Sequence, residues 1–325
     1  MTETKYLSIW SLDIVCNLSI VICDVFLPCK DYCKDSSFMN GKYSIRRHHM
    51  NPIKVMVNGL PGNVARIVAR HIQNDPQFEL LPCSLTGPEI AESKCAIGSI
   101  AVELIGPAEK ASRIDDIKQL HGRFLSVDFT HPSAVNSNAE FYCKFELPFV
   151  MGTTGGDRKK LEETVASSTI AAVIAPNMAT QIVGFQAMME YAAESFPDLF
   201  KGYTLEIKES HQKGKADTSG TAKAMVRYFN QLGVPFSENE IIKIRDPEIQ
   251  KKQLGIDEDY LTGHGWHTYT LVSEDQTVRF EFTHNVNGRE IYARGTLDAL
   301  IFLSKKINAG ARGKIFTMID VLKGR

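Results

Sequence analysis

Residues 209–221 read ESHQKGKADTSGT, which sets one histidine, two lysines and two acids within a single short stretch. His211 is of a type that titrates near neutrality and can move a proton or stabilise developing negative charge. Lys215, four residues on, brings a positive charge or a second proton to the same place. Residues 217–221, DTSGT, have the composition of a helix start, whose free N–H groups favour an anion. A proton source, cations and a carboxylate cradle together suit a small acidic substrate that receives hydride. The same stretch also reads as a solvated charged loop with a helix cap, so the rest of the chain has to decide between the two.

A nucleotide-binding half favours the first reading. IKVMVN (53–58) is a short β-branched run, Gly59-Leu60-Pro61-Gly62 follows, and NVARIVARHIQ continues at helical period. Strand, glycine turn and helix form the element that brings backbone and helix N–H groups to a pyrophosphate. The spacing is Gly59-x-x-Gly62-x-x-Ala65, a variant of GxGxxG, so its place at the head of a βα unit carries more weight than the glycines alone. A second strand is expected over residues 78–84. No acid follows it until Glu89, which argues for NADPH over NADH, with Ser84 and Thr86 as hydroxyls for a 2′-phosphate and Arg66 as a cation nearby. Further strands at 124–128, 149–151 and 170–174 end in DFTHP, GTTG and APN. These polar strand ends share the carboxyl edge of a parallel sheet, where ligands bind.

From Met178 the pattern changes. MATQIVGFQAMMEYAAESF is a long amphipathic helix, and 202–210 is a strand that leads into the charged stretch. HTYTLV, VRFEF and EIYAR alternate apolar and polar residues, as in an antiparallel or mixed sheet. Residues 296–307 and 314–322 read as closing helices. The expected fold is α/β: a Rossmann-like dinucleotide-binding domain over 51–177 and 296–325, and a smaller α+β domain with a mixed or antiparallel sheet over 178–295 for substrate and subunit contacts.

Composition excludes several classes. With 325 residues, 43% hydrophobic and 23% charged, the chain can bury a sizeable core. A net charge of −1 lacks the basic footprint of a nucleic-acid or anionic-membrane partner. Seven cysteines, an odd number without a CxxC pair, argue for a reducing compartment. The spacing of Cys29, Cys33, His48 and His49 matches no tetrahedral site, and no metal is expected. Residues 1–50 stand apart. Asp13 and Asp24 interrupt their apolar run, the features of a signal peptide are missing, and the acids are unusual for a plastid transit peptide. They are expected to lie outside the fold, with Met50 as an alternative start. The protein is then cytoplasmic, or stromal in a plastid if the extension is a targeting segment.

ESHQKGKADTSGTA resembles the catalytic loop of the dihydrodipicolinate reductases in their plant-type form. The resemblance runs from about Ile53 to the C-terminus through VNGLPGNVA, VDFTHPSAVN, PFVMGTTGGDRKKL, IAPNM, IRDP, FEFTHNVNGR and GTLDALIFLSKKI. It implies NAD(P)H-dependent reduction of 4-hydroxy-tetrahydrodipicolinate to tetrahydrodipicolinate in the diaminopimelate route to lysine. It implies His211 and Lys215 as catalytic residues, with Gln212, Ser219, Gly220 and Thr221 on the substrate. The cofactor would lie against Gly59, Leu60, Pro61, Gly62, Asn63, Val64, Ser84, Thr86, Phe129, Gly152, Thr153, Thr154, Ala175, Pro176, Asn177 and Met178. It also implies a homo-oligomer, tetramer or dimer, built through the second sheet. Loss of the ring hydroxyl as water leaves a conjugated imine, hydride adds at one end, and a cationic His211/Lys215 pair meets the charge at the other.

Two positions depart from the bacterial pattern. Gln212 replaces a second histidine, and Asn63 replaces a basic residue in the glycine turn. Rival readings are a reductase of another small acidic metabolite and a non-catalytic dinucleotide sensor. The intact His211, Lys215 and Gly220-Thr221 set speaks against the sensor. A chain starting at Met50 is expected to keep the melting temperature and turnover of the full-length chain. Aggregation or lost activity would show that the extension is structural.

Overall fold

Val55, Met56, Val57 and Asn58 are all fully buried, as in a central strand covered on both faces. They belong to β1 (Ile53–Asn58). The computed structural model describes residues 51–324, and the readings placed on 1–50 lie outside them. After β1 come α1 (Asn63–Asn74), β2 (Phe78–Leu80), β3 (Cys83–Leu85), β4 (Lys94–Ile97), β5 (Ile100–Ile105) and α2 (Lys110–His121). Then follow β6 (Leu125–Asp128), α3 (Val135–Lys144), β7 (Phe149–Met151), α4 (Arg158–Ala166) and β8 (Ala171–Ile174).

The first sheet has the order β13-β8-β7-β6-β1-β2, in which β13 is Lys314–Phe316, and every pairing in it is parallel. Alternate residues of β1 feed opposite layers. Val55 and Val57 pack with Ala65, Val68 and Ile72 of α1, while Met56 packs with Ile114 of α2, Tyr142 of α3 and Leu161 of α4.

The expected strand over 78–84 is two strands. Pro82 has no N–H to donate to a ladder. The chain changes sheet there: β2 pairs with β1, and β3 joins β5 and β4 in a separate three-stranded sheet. That small sheet and α2 fill a region left unread between 91 and 122.

The second half begins with α5 (Thr180–Ser195), β9 (Thr204–His211), α6 (Gly220–Gln231), β10 (Ile242–Ile244) and α7 (Pro247–Lys252). Strands β11 (His264–Val272) and β12 (Arg279–Asn287) complete a mixed four-stranded sheet ordered β10-β9-β11-β12. EIYAR, read as a strand, is instead the first turn and a half of α8 (Glu290–Asn308). Ala293, Thr296, Leu300 and Leu303 are buried at helical spacing and outweigh the short alternation. The boundary placed at 295/296 therefore falls inside one helix. Residues 314–316 are also not helical: β13 closes the first sheet beside β8, and only α9 (Met318–Lys323) remains, with a Thr317/Asp320 capping box.

Helix α8 ties the two halves together at Gly295. A Cβ built there would stand 1.7 Å from the Met178 carbonyl oxygen. Gly295→Ala is expected to cost about 1–3 kcal/mol through overpacking, read as a lower denaturation midpoint. An unchanged midpoint would refute this account of the contact.

Candidate active site

The glycine turn is held from beneath. The Gly59 N–H donates to the Leu85 carbonyl at 2.9 Å, and the Gly62 N–H donates to the Gly59 carbonyl at 2.9 Å. Gly59 has φ +98°, and a Cβ on it would stand 2.1 Å from the Phe129 carbonyl oxygen, so only glycine fits. Helix α1 starts at Asn63 with no side-chain cap and no acid in its first turn. Its first N–H groups remain open to an anion, which fits a dinucleotide pyrophosphate.

The hydroxyls expected on a 2′-phosphate are already engaged. Ser84 is fully buried, and its Oγ accepts from the Leu60 N–H at 3.4 Å. Thr86 Oγ1 donates to the Leu60 carbonyl at 2.7 Å. Both hold the turn rather than face a ligand. Arg66 Nε donates to the Pro61 carbonyl at 2.8 Å. Phe129 lies across Gly152, whose Cβ would come within 2.2 Å of the ring. Thr153 is buried, and its Oγ1 donates to the Asp128 carboxylate, so it has no free hydroxyl. Met178 is 2% exposed and packs into the core, away from the cavity.

A cavity of about 680 Å³ lies between the first sheet's carboxyl edge and the second half. Thr154, Ala175, Pro176 and Asn177 line one side, and His211, Lys215, Ser219, Gly220 and Thr221 line the other. The turn residues Gly59–Val64 and Gln212 are not part of its wall. Gly220 opens α6, and Ser219 caps it by accepting from the Ala222 N–H at 3.1 Å. Thr221 sits in the first turn, where free N–H groups favour a carboxylate.

His211 ends β9, opposite Gly265 of β11, and a Cβ on Gly265 would stand 3.0 Å from the imidazole. Its Nδ1 lies 3.1 Å from the His264 carbonyl oxygen, which can only accept. In the neutral ring Nδ1 therefore carries the proton, and Nε2 is a bare, buried acceptor without a protein partner. Burial, then the neighbouring His267, lowers the His211 pKa to about 4. The cationic pair expected from sequence is therefore not the state of the free protein. Lys215 Nζ donates to Asp217 at 2.9 Å.

The residues that organise this site were missed in the sequence. Glu209 is fully buried, and its carboxylate binds the Arg245 guanidinium and accepts from the Ser219 N–H at 3.1 Å. Burial alone would raise its pKa. The nearby His267, its Nε2 at 3.7 Å, and hydrogen bonds from Arg245 and Ser219 outweigh that and hold it well below the usual carboxylate range. Strand register sets Glu209 opposite His267, and His267 opposite His284. The signal was available: polar residues occupy inward positions in the alternation of three strands. Glu209, His211 and His267 each bring a ligand-type atom within 4.8 Å of the others. Arg245 already neutralises that carboxylate, and we assign no metal there.

Two family models match the chain: "Dihydrodipicolinate reductase, N-terminus" over residues 53–178 and "Dihydrodipicolinate reductase, C-terminus" over 182–322. The chain is 46% identical over 269 residues to "Probable 4-hydroxy-tetrahydrodipicolinate reductase 1, chloroplastic" of Oryza sativa subsp. japonica, covering 83% of this chain and 78% of the relative. It is 45% identical over 273 residues to "4-hydroxy-tetrahydrodipicolinate reductase 1, chloroplastic" of Arabidopsis thaliana, covering 84% and 78%. The solved structure "Dipicolinate bound Dihydrodipicolinate reductase from Paenisporosarcina sp. TG-14" shares the fold with a TM-score of 0.58 at 20% identity, covering 82% of this chain and 97% of that one.

The histidine burial has a pH consequence. His211 and His284 both have their pKa lowered to about 4 from 6.5, His284 first by burial and then by His267. The unfolded chain binds protons at these rings where the folded chain does not. Their contribution to stability is complete above about pH 6.5 and is lost as pH falls toward 4. The denaturation midpoint should drop across that interval, and the double variant His211→Gln/His284→Gln should show a flatter profile. Parallel profiles would disprove the assignment.

Proposed function

The chain belongs to the dihydrodipicolinate reductase family, and from that premise we propose how its residues carry out the NAD(P)H-dependent reduction of 4-hydroxy-tetrahydrodipicolinate to tetrahydrodipicolinate, with loss of water, on the diaminopimelate route to lysine. One observation carries the proposal. A single cavity sets Thr154 and Asn177, from the ends of parallel strands, against His211, Lys215, Gly220 and Thr221. The half built on the parallel sheet serves the cofactor, and the half built on the four-stranded sheet serves the substrate.

NAD(P)H supplies the hydride when bound. The open N–H groups at Asn63 and Val64 would hold its pyrophosphate, and Thr154 and the 175–177 turn, on the cavity wall, would hold its reactive end. Gly220 and Thr221 hold one substrate carboxylate at the start of α6. Lys215 leaves Asp217 for the substrate and delivers the proton that the reduction consumes. His211 is neutral in the free protein, and a dianionic substrate beside its bare Nε2 favours the imidazolium. The cationic pair is thus assembled by binding. We also read the chain as a homo-oligomer formed through its four-stranded sheet. In support, β12 is a nine-residue edge strand, and Phe280 on it stays 40% exposed. The plant relatives are named chloroplastic, which supports the plastid alternative over the cytoplasmic expectation.

His211→Ala and Lys215→Ala should each lower kcat by roughly a hundred-fold or more, with dinucleotide affinity by fluorescence titration nearly unchanged. Thr221→Val should mainly raise KM, and the His211/Lys215 double variant should lose far less than the product of the single losses. A near-normal kcat for His211→Ala would defeat the proposal.

A further inference from the structure

Asp128 is fully buried at the end of β6, and no step described above uses it. Strand register sets it between Asn58, the residue before the glycine turn, and Met151, the residue before Gly152. Tyr142 Oη donates to its carboxylate at 2.7 Å, Asn138 Nδ2 at 3.0 Å, Thr130 Oγ1 at 2.8 Å and the Thr130 N–H at 3.2 Å, and Thr153 Oγ1 completes the set. Both oxygens act as acceptors throughout, as in a carboxylate. All of these partners are uncharged. A buried ion is costly unless it is hydrogen-bonded or paired, and here neutral donors hold it. The cation that feels it is Lys110, whose Nζ rests 4.8 Å over the Phe141 ring. Burial lowers the Lys110 pKa, and the Asp128 charge opposes that.

Tying strand ends together asks only for hydrogen bonds. The charge has a second consequence because of where it lies. β2 and β6 flank β1 on opposite sides, so the order of the sheet reverses beside Asp128. Dinucleotides lie across the carboxyl edge at such a point. Thr153 touches the carboxylate, and Thr154, the next residue, lines the cavity. In the reduction, hydride takes two electrons to the conjugated imine and a proton from the cavity completes the product. The nicotinamide ring is left with one positive charge. A fixed negative charge in a site with little water favours that state.

We propose that Asp128 is a buried counter-charge for the dinucleotide, whose field favours the oxidised, positively charged nicotinamide ring over the reduced, neutral one and so assists hydride release. The inference rests on the reading above that the dinucleotide lies along this edge with its reactive end at Thr154. Asp128 acts through space and through Thr153, without touching the ring. Lys110 works against it, because its charge cancels part of the same field.

The test is binding of NADPH to the full-length chain by fluorescence titration, with NADP+ measured by competition and no substrate present. Asp128→Asn keeps the shape and removes the charge. It should lower the ratio of NADP+ affinity to NADPH affinity by about ten-fold, the scale of one unit charge acting across a few ångströms of protein. NAD+ and NADH should show the same shift. Tyr142→Phe removes one donor and leaves the charge, so it should lower the denaturation midpoint and keep the ratio. Lys110→Gln should move the ratio the other way, by a smaller factor. Equal weakening of both forms in Asp128→Asn would mean that the network only holds the strand ends, and would overturn this inference alone. If Asp128→Asn does not fold, an unchanged ratio in Lys110→Gln overturns it instead. Failure of the wild-type chain to bind any dinucleotide would sink it together with the reading it rests on.

Discussion

The second half of the molecule depends on one buried ion pair. Glu209 has no solvent exposure, and the Arg245 guanidinium lies on its carboxylate. Arg245 also donates to the Lys215 carbonyl at 2.8 Å, to the Glu209 carbonyl at 3.2 Å and to the Asp217 carbonyl at 3.4 Å. A single side chain thus fastens Lys215 and Asp217, in the loop that follows β9, to Glu209 near the end of that strand. Such a pair is weak evidence for net stability, because desolvation offsets most of its attraction. Breaking it is another matter: one partner left alone would be a buried, unpaired charge. The pair therefore acts as a positional constraint on the loop that lines the cavity.

The same carboxylate stands at the end of a row of histidines. Register across β9, β11 and β12 lines up Glu209, His267 and His284. The rings of His267 and His284 stack at 4.7 Å, and His211 meets His267 edge-on at 5.1 Å. Burial, and then the neighbouring His267, keep His211 and His284 neutral; at His211 alone Glu209 pulls the other way, and Arg245 opposes it. A cavity lined by neutral imidazoles can respond to an arriving dianion, whereas one already cationic would hold buffer anions at rest.

The first half was legible because its signals are local. A β-branched run, two glycines and a helical period specify β1, the turn and α1 from adjacent residues. The motif around His211, Lys215 and Gly220-Thr221 was legible for the same reason. What escaped depends on partners far along the chain. Arg245 is thirty-six residues from Glu209, and His284 is seventeen from its cross-strand neighbour His267. Neither distance leaves a mark in a window of ten residues. EIYAR misled because two strand-like alternations within five residues could not show the helical spacing that continues to Leu303.

Close backbone approach explains why the cleft exists without any ligand to shape it. At Gly59 the turn touches the end of β6, and at Gly295 helix α8 touches the entry to α5, each at a distance no Cβ would allow. The first contact fixes the glycine turn against a neighbouring strand end of the same sheet. The second fixes the two halves against each other, through a helix whose later turns pack in the core of the first sheet. Both are steric contacts between backbones, which deform little, so the gap between Asn177 and His211 is set by the fold. What stays adjustable on the cavity wall is side chains and charges: Lys215, held on Asp217, and the neutral ring of His211.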